Sequence, residues 1–321
     1  MRFTITPYTN NSPMALWHAL SANAFCLKDS ARPAESIFYY DTAPSGGGGS
    51  TPRAVFVLLH GLGDEADTWR HILPLVSAAG CRALAPDLPG FGRSVSSGRI
   101  SLSSYAAAVA RFVEAVVLPG AGNSGTLERP PVFLVGSSMG AIVAEAAALH
   151  KPELASGLIL MGASIPGGPG NRALFALIKR LFRRKWYRSY RKDPDGAWRS
   201  LAPYYADVES LPPQDKDFLR ARVMARVEGT AQEQAFFSVQ QSLIRVFLFS
   251  SSRFARKIRR FKGNILLLWG EADRIVPLSS AETFKALRPD IALRTIPGAG
   301  HLPQQENPAE VVRLLLDFAV K

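Results

Sequence analysis

Ser138 sits at the centre of Gly136-Ser137-Ser138-Met139-Gly140, between the apolar run PVFLV and the small-residue run AIVAEAAALH. Glycines at both flanks tolerate the crowding and unusual backbone angles of a sharp strand-to-helix turn. Such a turn lifts the serine hydroxyl off a sheet. It also sets the serine at a helix start, where unpaired N–H groups favour developing negative charge. Ser137 does not fit this role, because Val135 and Met139 stand where its flanking glycines belong. The chemistry that suits Ser138 is nucleophilic attack, which requires a base within hydrogen-bond reach and a carboxylate to fix that base's tautomer.

Two other segments offer these groups. Asp273 lies in Trp269-Gly270-Glu271-Ala272-Asp273-Arg274, after the apolar run NILLLW, and His301 ends Gly298-Ala299-Gly300-His301, after ALRTI. The chain order Ser, Asp, His is that expected of a nucleophile on a strand-to-helix elbow. Asp273 is favoured over Glu271, which follows its strand too closely. A fourth turn, His60-Gly61-Leu62-Gly63, follows AVFVLL. There the backbone N–H of Leu62, with that of Met139, would bind the oxyanion of a tetrahedral intermediate. His60 is read as a residue that organises this turn, together with Gly61. His18, His71 and His150 have no metal-ligand spacing, and no cofactor is called for.

The elements that must position these residues alternate along the chain. Strands are expected at Ser36 to Thr42, Arg53 to His60, Arg82 to Pro86, Pro131 to Val135, Gly157 to Met161, Asn264 to Trp269 and Ala292 to Ile296. Helices are expected at Asp67 to Ala79, Ser103 to Leu118, Ala141 to His150 and Ser279 to Leu287. A last helix starts from Pro308, capped by Asn307. A short helix around Met14 to Leu27 is also expected, and Ser45 to Ser50 reads as a flexible connector. Alternating, mostly apolar strands and helices imply an α/β fold with a mostly parallel central sheet covered on both faces. In such a sheet the residues just past the carboxyl ends of the strands meet in one crevice.

The 321 residues carry 47% hydrophobic and 20% charged residues, the proportions of an ordinary globular chain. No apolar run approaches the ~18 residues that span a bilayer, and no secretory signal is evident. Cys26 and Cys81 form no metal or redox spacing, and a cytoplasmic location is expected. The net charge of +12 is concentrated in one segment. Residues 164–262 hold 21 Lys and Arg against 8 Asp and Glu, a net +13, which leaves −1 for the rest.

The motifs HGLGDEADTW, APDLPGFGRS, VGSSMGA, WGEADRIVP and PGAGHLPQQENP resemble the α/β-hydrolase superfamily, in its branch with an HG-x-G oxyanion loop. The resemblance covers about residues 36–163 and 263–321. It implies a core of residues 1–163 and 263–321, with 1–35 as an N-terminal extension and 164–262 as a basic helical lid inserted after the sixth strand. The serine at 138 sets the chain apart from the dehalogenase and epoxide hydrolase branches, which use Asp as nucleophile. The implied chemistry is acyl transfer to water through Ser138, His301 and Asp273.

The leading expectation is a carboxylesterase or lipase-like hydrolase of a small lipophilic ester. One alternative is a hydrolase of carbon–carbon bonds in vinylogous diketones (meta-cleavage products), which uses the same triad. From a different class comes a non-catalytic ligand-binding or membrane-surface protein on the same fold. Within 164–262, Ala173 to Tyr190 has apolar residues at helical spacing, and Arg253, Arg256, Lys257, Arg259, Arg260 and Lys262 form a second basic cluster. Such charge suits either a solvated outer face or a lid resting on anionic lipid, at the periphery of a membrane. Nucleic acid is disfavoured, since no recognition motif accompanies the charge. The sequence leaves the oligomeric state open.

Overall fold

A computed structural model describes residues 21–27, 35–43, 51–96, 100–118, 129–163, 184–249 and 251–320. Its centre is an eight-stranded sheet: β1 (Ser21–Leu27), β2 (Glu35–Asp41), β3 (Val55–Leu59), β4 (Arg82–Pro86), β5 (Val132–Ser137), β6 (Gly157–Met161), β7 (Asn264–Gly270) and β8 (Ala292–Ile296). The order across the sheet is β1-β2-β4-β3-β5-β6-β7-β8. Strands β3 to β8 are mutually parallel, and β2 runs antiparallel to both β1 and β4.

The side chains of β3 divide between two cores, as the period of two in a strand requires. Val55, Val57 and Leu59 face a core with α2 (Leu102–Phe112) and α3 (Met139–His150). Phe56 and Leu58 face the other, with α1 (Ile72–Ala78) and, at the C-terminus, a helix from Pro308 to Ala319. Every residue of β3, β5 and β6 is buried, which accounts for their continuous apolar runs.

Between β6 and β7 the described chain is helical: α4 (Arg184–Ser189), α5 (Pro194–Arg199), α6 (Pro213–Glu228), α7 (Thr230–Phe249) and α8 (Ser251–Arg260). After β7 come α9 (Ser279–Leu287), the short α10 (Pro303–Glu306) and α11 (Pro308–Ala319). Helix α8 lies within the 164–262 segment, yet it packs on α3 and α9 of the core as well as on α7.

The expected helix around Met14 to Leu27 is overturned for its described part. Residues 21–27 form β1, paired with β2 from Ser21 opposite Asp41 to Leu27 opposite Glu35. Pairing with an available strand edge overrides the local Ala-rich helix propensity. Residues 14–20, the Ser45 to Ser50 connector, and Ala173 to Arg183 of the expected lid helix lie outside the described residues. The segment expected as one helix over Asp67 to Ala79 divides into a 3-10 turn, Ala66–Trp69, and α1.

Candidate active site

Ser138 follows β5 directly and precedes α3, with φ 54° and ψ −116°. It is the only non-glycine residue at positive φ among the described residues. L-residues adopt that conformation at a cost, so the surroundings must impose it. Its N–H donates to Met161 O at 2.8 Å, which ties the turn to the end of β6. The flanking glycines are needed for close approach: a Cβ on Gly140 would lie 2.2 Å from Leu59 O, and one on Gly136 would lie 2.3 Å from the Gly140 backbone.

His301 and Asp273 meet beside it. Nδ1 of His301 donates to Asp273 Oδ2 at 2.8 Å, with both side chains buried. The other carboxylate oxygen, Oδ1, accepts from the N–H groups of Ile275 at 2.8 Å and Val276 at 2.9 Å. Asp273 is therefore fixed from two sides, and its charge holds the imidazole in the tautomer with the proton on Nδ1. Nε2 of His301 is buried and has no hydrogen-bond partner among the described residues. In this tautomer Nε2 is the ring's hydrogen-bond acceptor. Glu271 is exposed and accepts from Thr295 Oγ1 at 2.9 Å.

Ser138 and His301 line one cavity of about 550 Å³, together with Gly61 and Leu62. Its walls are mainly apolar and aromatic, including Tyr187, Leu219, Val223, Phe236 and Ile275, so α4, α6 and α7 roof Ser138 and His301. Arg199 and Arg226 also reach this cavity. Arg199 is mostly exposed and only loosely paired with Asp193, at 3.8 Å.

The turn after β3 is held by His60. Its Nε2 accepts from Leu88 N–H at 2.9 Å, so Nδ1 carries the proton and donates to Gly61 O at 2.8 Å. Complete burial lowers its pKa and keeps the ring neutral. The DLPGFGRS segment is thereby joined to the turn that carries Leu62. Asp87 of that segment accepts from Ala66 N–H at 2.7 Å and from Arg93 Nε at 2.8 Å. Met139 is the first residue of α3, where the N–H has no intrahelical acceptor.

Three contributors went unread in the sequence. Gly162, at φ 53°, lies against the His301 ring: a Cβ there would sit 2.8 Å from Cε1 and 2.9 Å from Nδ1. Its place just past β6, another strand end on the same sheet edge, was the available signal. Tyr204 O accepts from His301 N–H at 2.8 Å, and Glu306 accepts from the N–H groups of Gly300 and Ala206, each at 2.7 Å. These bonds tie the insertion to the histidine loop, and no local pattern announces them.

The roof is also fastened to the turn after β3. Arg226 of α6 pairs with Asp64 at 2.6 Å and Glu65 at 2.9 Å, and Arg222 pairs with Glu65 and, at 3.2 Å, with Asp67. Burial pushes the Glu65 carboxyl up, but Arg226 and Arg222 outweigh it and hold the pKa at about 2. Asp215 of α6 accepts from Arg70 at 2.8 Å and contacts His71 Nε2 at 2.9 Å. His150 is exposed, and His18 lies outside the described residues. Among the described residues no group of three or more His, Cys, Asp or Glu side chains could hold a metal ion.

A mostly parallel sheet with helices on both faces, a strained serine between strand and helix, and a histidine–aspartate pair past the ends of β7 and β8 define a hydrolase of the α/β type. The chain belongs to the alpha/beta hydrolase family, whose family model matches residues 56–314. It is 30% identical over 271 residues to a 2-hydroxy-6-oxononadienedioate/2-hydroxy-6-oxononatrienedioate hydrolase of Comamonas testosteroni, covering 82% of this chain and 86% of that one. It is 29% identical over 267 residues to the 2-hydroxy-6-oxo-6-phenylhexa-2,4-dienoate hydrolase of Burkholderia cepacia, with the same coverage. A crystal structure of a putative lipase from Acinetobacter baumannii AYE superposes with a TM-score of 0.71 at 20% identity, covering 98% of this chain and 97% of that one. At that identity the likeness is one of fold.

Proposed function

We propose that this chain is a serine-nucleophile hydrolase of carbon–carbon bonds, acting on 2-hydroxy-6-oxo dienoates or closely similar vinylogous diketones. One observation carries the hydrolytic step: His301, whose buried Nε2 has no hydrogen-bond partner among the described residues, lines the same cavity as Ser138. The choice of bond rests on the relatives, which are 29–30% identical along four fifths of the chain. Arg199, weakly paired at the cavity wall, suits the carboxylate that such substrates carry.

In this reading His301 takes the Ser138 proton as Oγ attacks the keto carbon, and Asp273 stabilises the resulting imidazolium. The N–H groups of Leu62 and Met139 receive the oxyanion. The substrate reacts as its dione tautomer, formed before the attack by transfer of its enol proton to the carbon next to the ketone, and collapse of the oxyanion breaks the carbon–carbon bond. Its electron pair runs into the conjugated 2-oxo acid, and the imidazolium returns a proton to that carbon fragment. Water, deprotonated by His301, then releases the acyl group as a carboxylic acid.

Hydrolysis of a lipophilic carboxylic ester is the second reading, favoured by the apolar and aromatic cavity wall and by the commitment of Arg226 to Asp64 and Glu65. The discriminating experiment compares kcat/KM for 2-hydroxy-6-oxo-6-phenylhexa-2,4-dienoate with a p-nitrophenyl ester series. The proposal expects the dienoate to be preferred by at least about 100-fold, which is about 2.7 kcal/mol of differential transition-state binding. A reversed preference would establish the ester reading. Turnover of neither class, by protein that also resists serine-directed probes, would leave the non-catalytic alternative.

A further inference from the structure

Helix α8 turns Phe254 and Ile258 inward, against α3, α7 and α9, while Arg256, Lys257, Arg259 and Arg260 are exposed on its other side. Lys262, just beyond the helix, and Arg245, on the preceding α7, are exposed too. None of these six cations makes an ion pair among the described residues. The sequence from Arg245 to Lys262 contains no Asp or Glu, so no acidic side chain within it neutralises the row. At the junction between α7 and α8, Phe249 is 81% exposed, the most exposed large apolar side chain among the described residues.

The position of this face matters as much as its charge. Strand β7 begins at Asn264, opposite Gly157, at the sheet end away from Ser138. Helix α8 feeds into that end, so its cations run down the flank of the domain and not across the roof of the cavity. The charge that the sequence places in a lid is, in this cluster, carried on a side wall. Neither the apolar stripe nor the catalytic residues require it there, because Phe254 and Ile258 already anchor the helix.

We propose that the α8 face, with Phe249 at its edge, docks this protein on a bilayer containing anionic phospholipid. Unpaired cations on one helix face complement the negative surface potential of such a membrane, and an exposed aromatic ring suits its headgroup boundary. Phe249 favours lipid over a nucleic acid, whose backbone calls for cations alone. The proposal is independent of which bond Ser138 breaks, and it fails or stands separately.

The test is flotation of the full chain with phosphatidylcholine vesicles made with and without phosphatidylglycerol, across a salt series. Binding is expected only with phosphatidylglycerol and should weaken as salt rises. The fourfold variant Arg256→Gln/Lys257→Gln/Arg259→Gln/Arg260→Gln should lower the partition coefficient by about 600-fold, at roughly fivefold per basic residue. Its circular dichroism and its turnover of a soluble substrate should be unchanged, since these side chains are exposed and lie outside the cavity. Phe249→Ser should weaken binding further at high salt, where the charge contribution is screened. Equal binding to neutral vesicles, full binding by the fourfold variant, or retention of random duplex DNA in a gel with no vesicle binding would each overturn the proposal.

Discussion

Replacing Arg226 by Met removes one partner from a buried ion cluster while keeping the length and the apolar stem of the side chain. Arg226 contacts Asp64 at 2.6 Å and Glu65 at 2.9 Å, and Glu65 is fully buried. Breaking a buried pair from one side typically costs about 3–5 kcal/mol, because the remaining charge stays buried without compensation. Arg222 continues to pair with Glu65, so the expected loss lies at the lower end, about 3 kcal/mol. In a chain of this size that lowers Tm by roughly 5 °C. Urea unfolding followed by circular dichroism measures the loss, and a cycle with Asp64→Asn isolates the pairwise part.

The Arg226→Met variant also tests function, because Asp64 and Glu65 lie two and three residues past Leu62. If the Leu62 N–H receives the oxyanion as proposed, a slackened turn should reduce kcat more than it raises KM, since that contact belongs to the transition state alone. A loss below about 1 kcal/mol with kcat unchanged would refute the reasoning. Acid should unfasten the same cluster. With the folded Glu65 pKa lowered to about 2, its stabilisation is full above the unfolded value of about 4.3 and is lost as pH falls through that window.

Gly162→Ala places a methyl group against the His301 ring at a positive φ, and a displaced imidazole should lower kcat/KM by about 100-fold with only about 1–2 kcal/mol lost in stability. Unchanged turnover would remove Gly162 from the account. Glu145, on α3, is fully buried with neither carboxylate oxygen hydrogen-bonded among the described residues, and burial raises its pKa well above the usual carboxylate range. The folded state therefore binds this proton more tightly than the unfolded chain, and stability falls as pH rises above about 4. Glu145→Met should flatten that decline and add about 1–3 kcal/mol at neutral pH, read from urea midpoints across pH. A destabilised variant with the slope intact would contradict this.

The central strands were legible because burial on both faces writes continuous apolar runs such as VFVLL and GLILM, bounded by turns. The strand ends of the candidate site were legible for a related reason: Ser138, Asp273 and His301 each follow a strand, beside glycines that a close backbone approach requires. The edge strand β1 was not, since SANAFCL has no local signature to set against its Ala content, and only its partner β2 makes it a strand. The roof was least legible. Arg222 and Arg226 read as two more charges in a basic segment, whereas the fold sets them, half-buried, against Asp64, Glu65 and Asp67, more than 150 residues away in sequence. The basic cluster at 253–262 read as part of a lid, because the sequence does not say that Phe254 and Ile258 seat its helix on α3 and α9.

The account depends most on Ser138 acting as the nucleophile. Labelling with a fluorophosphonate, followed by peptide mass spectrometry, tests this directly. The expected result is one adduct per chain, on Ser138, formed fast in the wild type, slowly in Asp273→Asn and absent in a folded Ser138→Ala. An adduct on another residue, or none on wild-type protein that is folded and turns over its substrate, would contradict the account.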